Sequence, residues 1–156
     1  MKRIAAALVT TLLSLQVLAS GSPSREAYDL AASINLFQPT MKAISDVSSI
    51  KWSTPDERTE KDLTLCMIIG GSQEGTGEIL QASSHLIGAI SDATDRKALD
   101  ENSFYLIRAR GLLTNYCVHR DDNSFRSDAF VTDSLAEMRT KLDQLLQIAR
   151  KYNPAP

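Results

Sequence analysis

The sequence predicts an all-α fold: a single-domain bundle of four to five helices clamped by one disulfide. Apolar residues recur every three or four positions along most of the chain, which is the spacing of one face of a helix. Short connections separate these stretches, and no convincing strand pattern interrupts them. The only two cysteines, Cys66 and Cys117, allow a single intramolecular pairing.

The first 19 residues have the pattern of a secretory signal peptide. Lys2 and Arg3 precede a mostly apolar run, Ile4 to Leu18, that is short for a membrane span and contains several polar residues. Ala19 supplies the small residue before the cleavage site, with Ala19-Ser20-Gly21 as the alternative cleavage motif. We therefore predict a signal peptide over 1–19, a helical domain over 20–156, and a periplasmic or secreted protein.

Removal of the signal peptide changes the charge of the chain. It leaves 137 of the 156 residues and a formal net charge of −4, because 15 basic side chains face 19 acidic ones. Mild acidity argues against general nucleic-acid binding, which requires a basic face, but not against a basic protein partner. Since no later apolar stretch is long enough to cross a bilayer, stable membrane insertion is not expected.

The two cysteines are predicted to pair. An even number of cysteines in an oxidising compartment indicates a disulfide. The Cys66–Cys117 bond would close a loop of about 50 residues, for which loop-closure entropy gives a stabilisation of roughly 3–4 kcal/mol. The alternative is two free buried thiols in a protein that is never exported.

The first helix is expected to begin at Ser22 or Ser24, both of which can act as an N-cap. Apolar residues follow at helical spacing until Pro39. Because proline lacks a backbone N–H and clashes with the preceding turn, we expect the helix to end or kink near Phe37–Gln38. A second, shorter helical segment is then predicted from Met41 to Ile50.

A strong helix start follows at Thr54-Pro55-Asp56-Glu57, with Thr54 as N-cap and Glu57 completing a capping box. The segment Leu63 to Ile69 is apolar almost all round and is expected to be deeply buried. Glycines from Gly70 to Gly77 then predict a helix C-cap and a flexible connector, with close helix packing over small residues as the alternative. Another amphipathic helix is predicted from Glu78 to Ser91.

The stretch Asn102 to Cys117 is predicted to be the central helix, because it is apolar on two sides. A broad apolar face is opposed by a narrower stripe, and a helix of this kind is usually sandwiched between neighbours. The stripe consists of Phe104, Ile107, Gly111 and Val118. The last helix is predicted from about Asp128 to Tyr152, with an apolar seam along one side.

Chemical signatures are weak throughout, so no catalytic, metal or cofactor residue is assigned. The glycine-rich segment lacks the lysine of a phosphate-binding loop. His85 and His119 have no partner at helical metal-ligand spacing. Glu74 and Glu78 are spaced for acid–base work, but solvated glutamates near a helix start are the favoured interpretation.

Surface recognition is the remaining possibility. A large aromatic residue in a connector, Trp52, is a candidate anchor for a partner. Phe104, Ile107, Arg108 and Arg110 on the central helix are the other candidates. The competing interpretation is that Trp52 closes one end of the bundle and that the narrow stripe packs on the first helix.

We therefore expect an exported small helical binding protein without a cofactor, whose partner is another protein. The sharpest form of this expectation is an inhibitor or immunity-type protein that occludes a partner enzyme in the periplasm. Alternatives are a small-molecule-binding helical bundle, a periplasmic holdase, and a small hydrolase using Glu74 or Glu78. Enzyme activity is the less favoured class, and the sequence does not indicate an oligomeric state.

Overall fold

Four long helices account for nearly all of residues 21–119 and 128–154, the part of the chain that this computed structural model describes. These residues contain no strand, so the predicted all-α bundle is confirmed, with four helices. The predicted signal peptide, residues 1–19, lies outside the described residues. The helices are α1 (Pro23–Ser48), α2 (Pro55–Ala89), α3 (Ala93–Val118) and α4 (Asp128–Tyr152).

Side-chain caps define where the first three helices begin. Ser22 caps α1 by accepting a hydrogen bond from the backbone N–H of Arg25. Thr54 and Glu57 form the predicted capping box at the start of α2, each accepting from the other's backbone N–H. Asp92 caps α3. Each cap satisfies backbone donors that a helix leaves free, which is worth about 1 kcal/mol.

Helix α1 runs through Pro39 without ending, so the predicted end of the helix near Phe37–Gln38 and the separate segment from Met41 to Ile50 are wrong. An interior proline costs a helix about 3 kcal/mol or more. The apolar face of α1 continues on both sides of it, and Phe37, Met41 and Ile44 are all buried. Burying a side chain of this size contributes roughly 1.5–3 kcal/mol, so continuing the helix outweighs the cost of the proline.

Helix α2 runs through the glycine-rich segment, so the predicted C-cap and connector over Gly70–Gly77 are also wrong. No described glycine has the positive φ of a left-handed C-cap. The buried face of α2 continues across the segment through Ile69, Thr76 and Ile79. Packing of this face outweighs the helix propensity of the glycines, each about 1 kcal/mol poorer than alanine.

The helices form a closed up-down-up-down bundle in which α1 packs on α2, α2 on α3, α3 on α4, and α4 back on α1. Long-range contacts show that neighbours run antiparallel: Ser83 lies beside Ser103, while Cys66 is bonded to Cys117 near the other end of α3. Each helix therefore has two main neighbours. The prediction that α3 is a sandwiched central helix is wrong, because none of the other three described helices packs against its outer side, where Phe104, Ile107 and Val118 are exposed.

The core lies along the axis of the bundle and takes apolar side chains from all four helices. The segment Leu63 to Ile69 has six apolar side chains, of which only two are buried in this core and two more are partly buried against it. Leu65 and Ile69 are buried, whereas Leu63 and Met67 are 43% and 78% exposed. The expected deep burial of the whole segment is wrong, because a helix with two neighbours cannot cover all of its sides.

A disulfide between Cys66 and Cys117 joins α2 to α3, with a Cα–Cα separation of 5.4 Å. The predicted pairing is thus confirmed. Both half-cystines are partly buried against the core. The bond lies near the start of α2 and at the end of α3, so it fixes how these two helices lie along each other.

Replacing both cysteines, as Cys66→Ala/Cys117→Ala, is expected to lower the free energy of unfolding by roughly 3–4 kcal/mol, since the denatured chain loses a loop constraint. Urea denaturation followed by circular dichroism measures the difference. The oxidised wild type should also weigh two hydrogens less than its dithiol form. A variant as stable as the oxidised wild type would contradict the expected role of the bond.

Two glycines of α2 provide a matched pair of substitutions. A Cβ at Gly75 would lie 2.8 Å from Cδ2 of Phe37, whereas one at Gly71 would meet nothing within 4 Å. We expect Gly71→Ala to raise the free energy of unfolding by about 0.5–1 kcal/mol through helix propensity. Gly75→Ala should be less stable than Gly71→Ala, because Phe37 is buried and must shift. Equal thermal stability of the two variants would contradict this close approach.

Candidate functional site

The exposed sides of α2 and α3 form one continuous surface, which we call the outer face. Its members recur every three or four residues, so each helix contributes one stripe. All of them are exposed. The stripe on α2 contains Leu63, Met67, Gly70, Glu74 and Gly77, and the stripe on α3 contains Phe104, Ile107, Arg108, Gly111 and Val118.

The outer face concentrates the exposed apolar side chains of the protein. Five of the ten large hydrophobic side chains that are exposed among the described residues lie on it. Three are exposed by more than half: Met67 by 78%, Phe104 by 64% and Val118 by 70%. Single exposed apolar residues are normal, whereas several of them on one side of two adjoining helices are typical of an interaction surface.

Three glycines lie between these apolar side chains. A Cβ at Gly70, Gly77 or Gly111 would meet nothing within 4 Å, and none of the three has a positive φ. Neither packing within the chain nor backbone conformation therefore requires glycine there. Glycine inside a helix costs about 1 kcal/mol relative to alanine. The three glycines leave the helical backbone of the outer face without side chains of its own at these positions.

Two charges stand at opposite edges of the outer face. Glu74 lies one helical turn before Glu78, which lines the groove between α1 and α2, so Glu74 is at the α1 edge. Arg108 follows Tyr105, whose ring lies 4.7 Å from the ammonium of Lys141 on α4, so Arg108 is at the α4 edge. Both are exposed, and neither forms an ion pair with a described residue.

The structure brings three of the five candidate binding residues together: Phe104, Ile107 and Arg108 share the outer side of α3. Arg110 does not belong with them. It is half-buried, and its spacing of seven residues from both Ser103 and Cys117 puts it on the side facing α2. Leu63 and Met67 were not among the predicted residues, because a segment that is apolar all round does not indicate which of its sides remains exposed.

Trp52, the fifth candidate, lies away from the outer stripe of α3. It is 40% exposed in the connector between α1 and α2, with the guanidinium of Arg58 4.9 Å from its ring centroid. Phe104 lies close to the level of Ser83, which is about 25 residues further along α2 than Arg58. At 1.5 Å per residue this separates Trp52 from Phe104 by roughly 35 Å along the bundle.

A buried polar contact holds the disulfide end of the bundle. The hydroxyl of Tyr116 donates a 2.8 Å hydrogen bond to Oδ1 of Asp62, and both side chains are buried. The Nε of Arg58 lies 3.9 Å from the other carboxylate oxygen. A buried carboxylate needs such partners, because leaving it unpaired would cost several kcal/mol. The contact therefore ties α2 to α3 beside the Cys66–Cys117 bond.

A second polar cluster joins α3 to α4 at the other end of the bundle. Oδ2 of Asp95 accepts hydrogen bonds from the Tyr152 hydroxyl at 2.6 Å and from Lys151 Nζ at 2.5 Å. Burial, and then the bond to Asp95, raise the pKa of Tyr152 to about 12. The bond to Asp95 also raises the pKa of Lys151. Backbone hydrogen bonds, that from Asp95 first, lower the pKa of Asp92.

Shallow grooves lie between α1 and its two neighbours. The groove between α1 and α2 has a volume of about 370 Å³ and is lined by Asp29, Glu78 and His85, among others. The imidazole Nδ1 of His85 lies 3.7 Å from a carboxylate oxygen of Glu26. The groove between α1 and α4 is larger, at about 520 Å³, and includes Tyr28 and Arg150.

Two kinds of site are not found in the part of the chain that is described. No group of three or more histidine, cysteine, aspartate or glutamate side chains is arranged to hold a metal ion there. Within the same residues, none of the four helices combines the length and apolar character that a bilayer crossing requires. Glu74 and Glu78 are both exposed and are not brought into one pocket.

The Tyr152 cluster makes a pH dependence testable. The pKa of the Tyr152 hydroxyl in the folded protein, about 12, exceeds its ordinary value of 10.0. The contribution of Tyr152 to the free energy of unfolding is therefore present below pH 10 and is lost as the pH rises toward 12. We expect the free energy of unfolding of the wild type to fall across that window, and Tyr152→Phe to lack this part of the decrease. The difference in tyrosinate absorbance between wild type and Tyr152→Phe should show one tyrosine that ionises near pH 12. A difference that titrates near pH 10 would contradict the burial and hydrogen bonding of Tyr152.

Comparison with known protein families, with curated proteins and with solved structures finds no match to this chain. The outer face of α2 and α3 is its most distinctive surface, since it combines exposed apolar side chains, open helical backbone and two charges at its edges.

Proposed function

We propose that this chain is an exported helical binding protein that uses its outer face to occlude a partner enzyme in the periplasm. The observation that carries the proposal is the grouping of Met67, Phe104 and Val118, all more than half exposed, on one side of two adjoining helices. Aromatic and methionine side chains are enriched in protein–protein interfaces. Covering apolar surface that a folded chain exposes to water gives a favourable free energy of binding.

The rigidity of the outer face favours tight binding. Cys66–Cys117, Asp62–Tyr116 and Ser83–Ser103 link α2 to α3 at three levels along their length. A surface whose helices are already held in place loses little conformational entropy when a partner docks. Occlusion of an enzyme requires a fixed shape of this kind rather than catalytic groups.

The charge of the chain favours a basic partner. Removal of residues 1–19 leaves a formal net charge of −4, which steers association with positively charged surfaces. The outer face itself carries one charge of each sign, Glu74 and Arg108, at opposite edges. These charges orient the partner on the face, while the apolar side chains toward its two ends supply most of the binding free energy.

A second candidate function is the binding of a small molecule between helices. The groove between α1 and α4, of about 520 Å³, falls within the usual size range for such sites. Its polar lining residues are Tyr28, Asn35, Arg150 and Asn153, above a floor that includes Leu146. A ligand with a carboxylate would suit Arg150, which forms no ion pair with a described residue.

The test is a comparison of baits prepared as residues 20–156. The wild type should recover one enzyme from periplasmic or secreted protein of the source organism and lower its activity when added back. Phe104→Glu should raise the dissociation constant for that enzyme by about 30-fold or more, the effect of losing an aromatic interface anchor worth ~2 kcal/mol. Binding is measured by titration calorimetry with the purified enzyme.

The matched control is Leu36→Glu, since Leu36 is 76% exposed on α1 and lines the groove between α1 and α2 rather than the outer face. It introduces the same charge at a similarly exposed apolar position and should bind as the wild type does. Recovery of the same enzyme by Phe104→Glu at unchanged affinity would refute docking through the outer face. An enzyme that keeps full activity in the complex would refute occlusion.

A further inference from the structure

The two edge charges of the outer face lie almost level along the bundle. The hydrogen bond between Ser83 and Ser103 puts these residues side by side. Because α2 and α3 run antiparallel, Glu78 lies level with Arg108, five residues from the pair on each helix. Glu74 is one turn further along, about 6 Å from the level of Arg108. An arginine side chain can span that distance.

Such an arrangement is self-complementary. A two-fold axis that runs parallel to the helices and in the plane of the outer face places α2 of one copy over α3 of the other at the same level. The α1 edge of each face then meets the α4 edge of its partner. Glu74 in each copy therefore faces Arg108 in the other, and symmetry makes this contact twice.

The same two-fold axis also brings apolar residues of one copy opposite apolar residues of the other, and glycines opposite glycines. At one end of the face, Leu63 and Met67 on α2 lie at the same level as Val118 on α3. The two-fold axis therefore puts Leu63 and Met67 of one copy over Val118 of the other. In the middle, Gly70 and Gly111 lie close to the same level, where the absence of side chains lets the helices approach closely. The outer face thus offers its own partner surface.

We propose that the free protein is a two-fold dimer in which a second copy of this chain covers the outer face. The inference rests on the proposed function in one respect, that the outer face is a docking surface. Dimer formation and partner binding exclude each other, because both use that face. The dimer is then the form present without the partner, and only dissociated chains bind it.

The dimensions of the face predict a weak and reversible dimer. From Leu63 to the level of Phe104, near Gln81, the α2 stripe is roughly 27 Å long. Two adjacent helices with their side chains are about 20 Å wide. A face of roughly 540 Å² per copy lies below the ~800 Å² per partner of a standard stable interface. We therefore expect a dissociation constant in the micromolar range, which a partner can overcome.

The experiment is sedimentation equilibrium of residues 20–156 from about 1 to 300 μM, concentrations that bracket a micromolar dissociation constant. The wild type should shift from one to two chains. Glu74→Arg and Arg108→Glu each place like charges at both symmetric contacts, so each should weaken the dimer about tenfold or more. A mixture of the two variants pairs arginine with glutamate at both contacts and should recover the wild-type dissociation constant. The double variant Glu74→Arg/Arg108→Glu should recover it too.

The control for charge reversal is Asp143→Arg, which changes an exposed carboxylate on α4. Asp143 lies seven residues before Arg150 and therefore on the side of the groove between α1 and α4, away from the outer face. This variant should dimerise as the wild type does. A chain that remains a monomer up to 300 μM, a mixture that does not recover, or an equal effect of Asp143→Arg would each overturn the dimer. None of these results bears on whether an enzyme is recovered by the wild-type bait, so failure of the dimer and failure of the proposed function are separable.

Discussion

The link between α2 and α3 is the constraint on which the other features of this protein depend. The Cys66–Cys117 bond and the buried Tyr116–Asp62 hydrogen bond hold one end of the pair, and Ser83 with Ser103 holds the region nearer the other end. With the two helices fixed against each other, their exposed stripes become one surface. Without that link the two helices would be held against each other by core packing alone.

Local sequence signals predicted the fold well where they agreed with burial. The capping box of Thr54 and Glu57 marks the start of α2 in both sequence and structure. Local sequence signals gave wrong predictions where a helix-breaking residue lies within a continuous buried face. Pro39 and the glycines from Gly70 to Gly77 remain helical because apolar residues before and after them belong to the same core. Local propensity is a weaker force than the packing of a long amphipathic face.

The candidate site could be predicted only in part. Periodicity grouped Phe104, Ile107, Gly111 and Val118 on one side of α3, and the structure leaves that side exposed. Spacing along one helix identifies residues that share a face but does not reveal what covers it. The contribution of Leu63 and Met67 was hidden because their segment is apolar on every side, and only the number of neighbouring helices determines which residues stay exposed.

Packing of α4 back on α1 gives the bundle a further property. The start of α1 and the end of α4 lie at the same end, where Tyr28 and Asn153 line one groove on the side opposite the outer face. A new linker could join these two helices there, and the chain could be opened elsewhere at a connector. The protein is thus suited to circular permutation, since such a rearrangement changes chain order while leaving the α2–α3 surface intact.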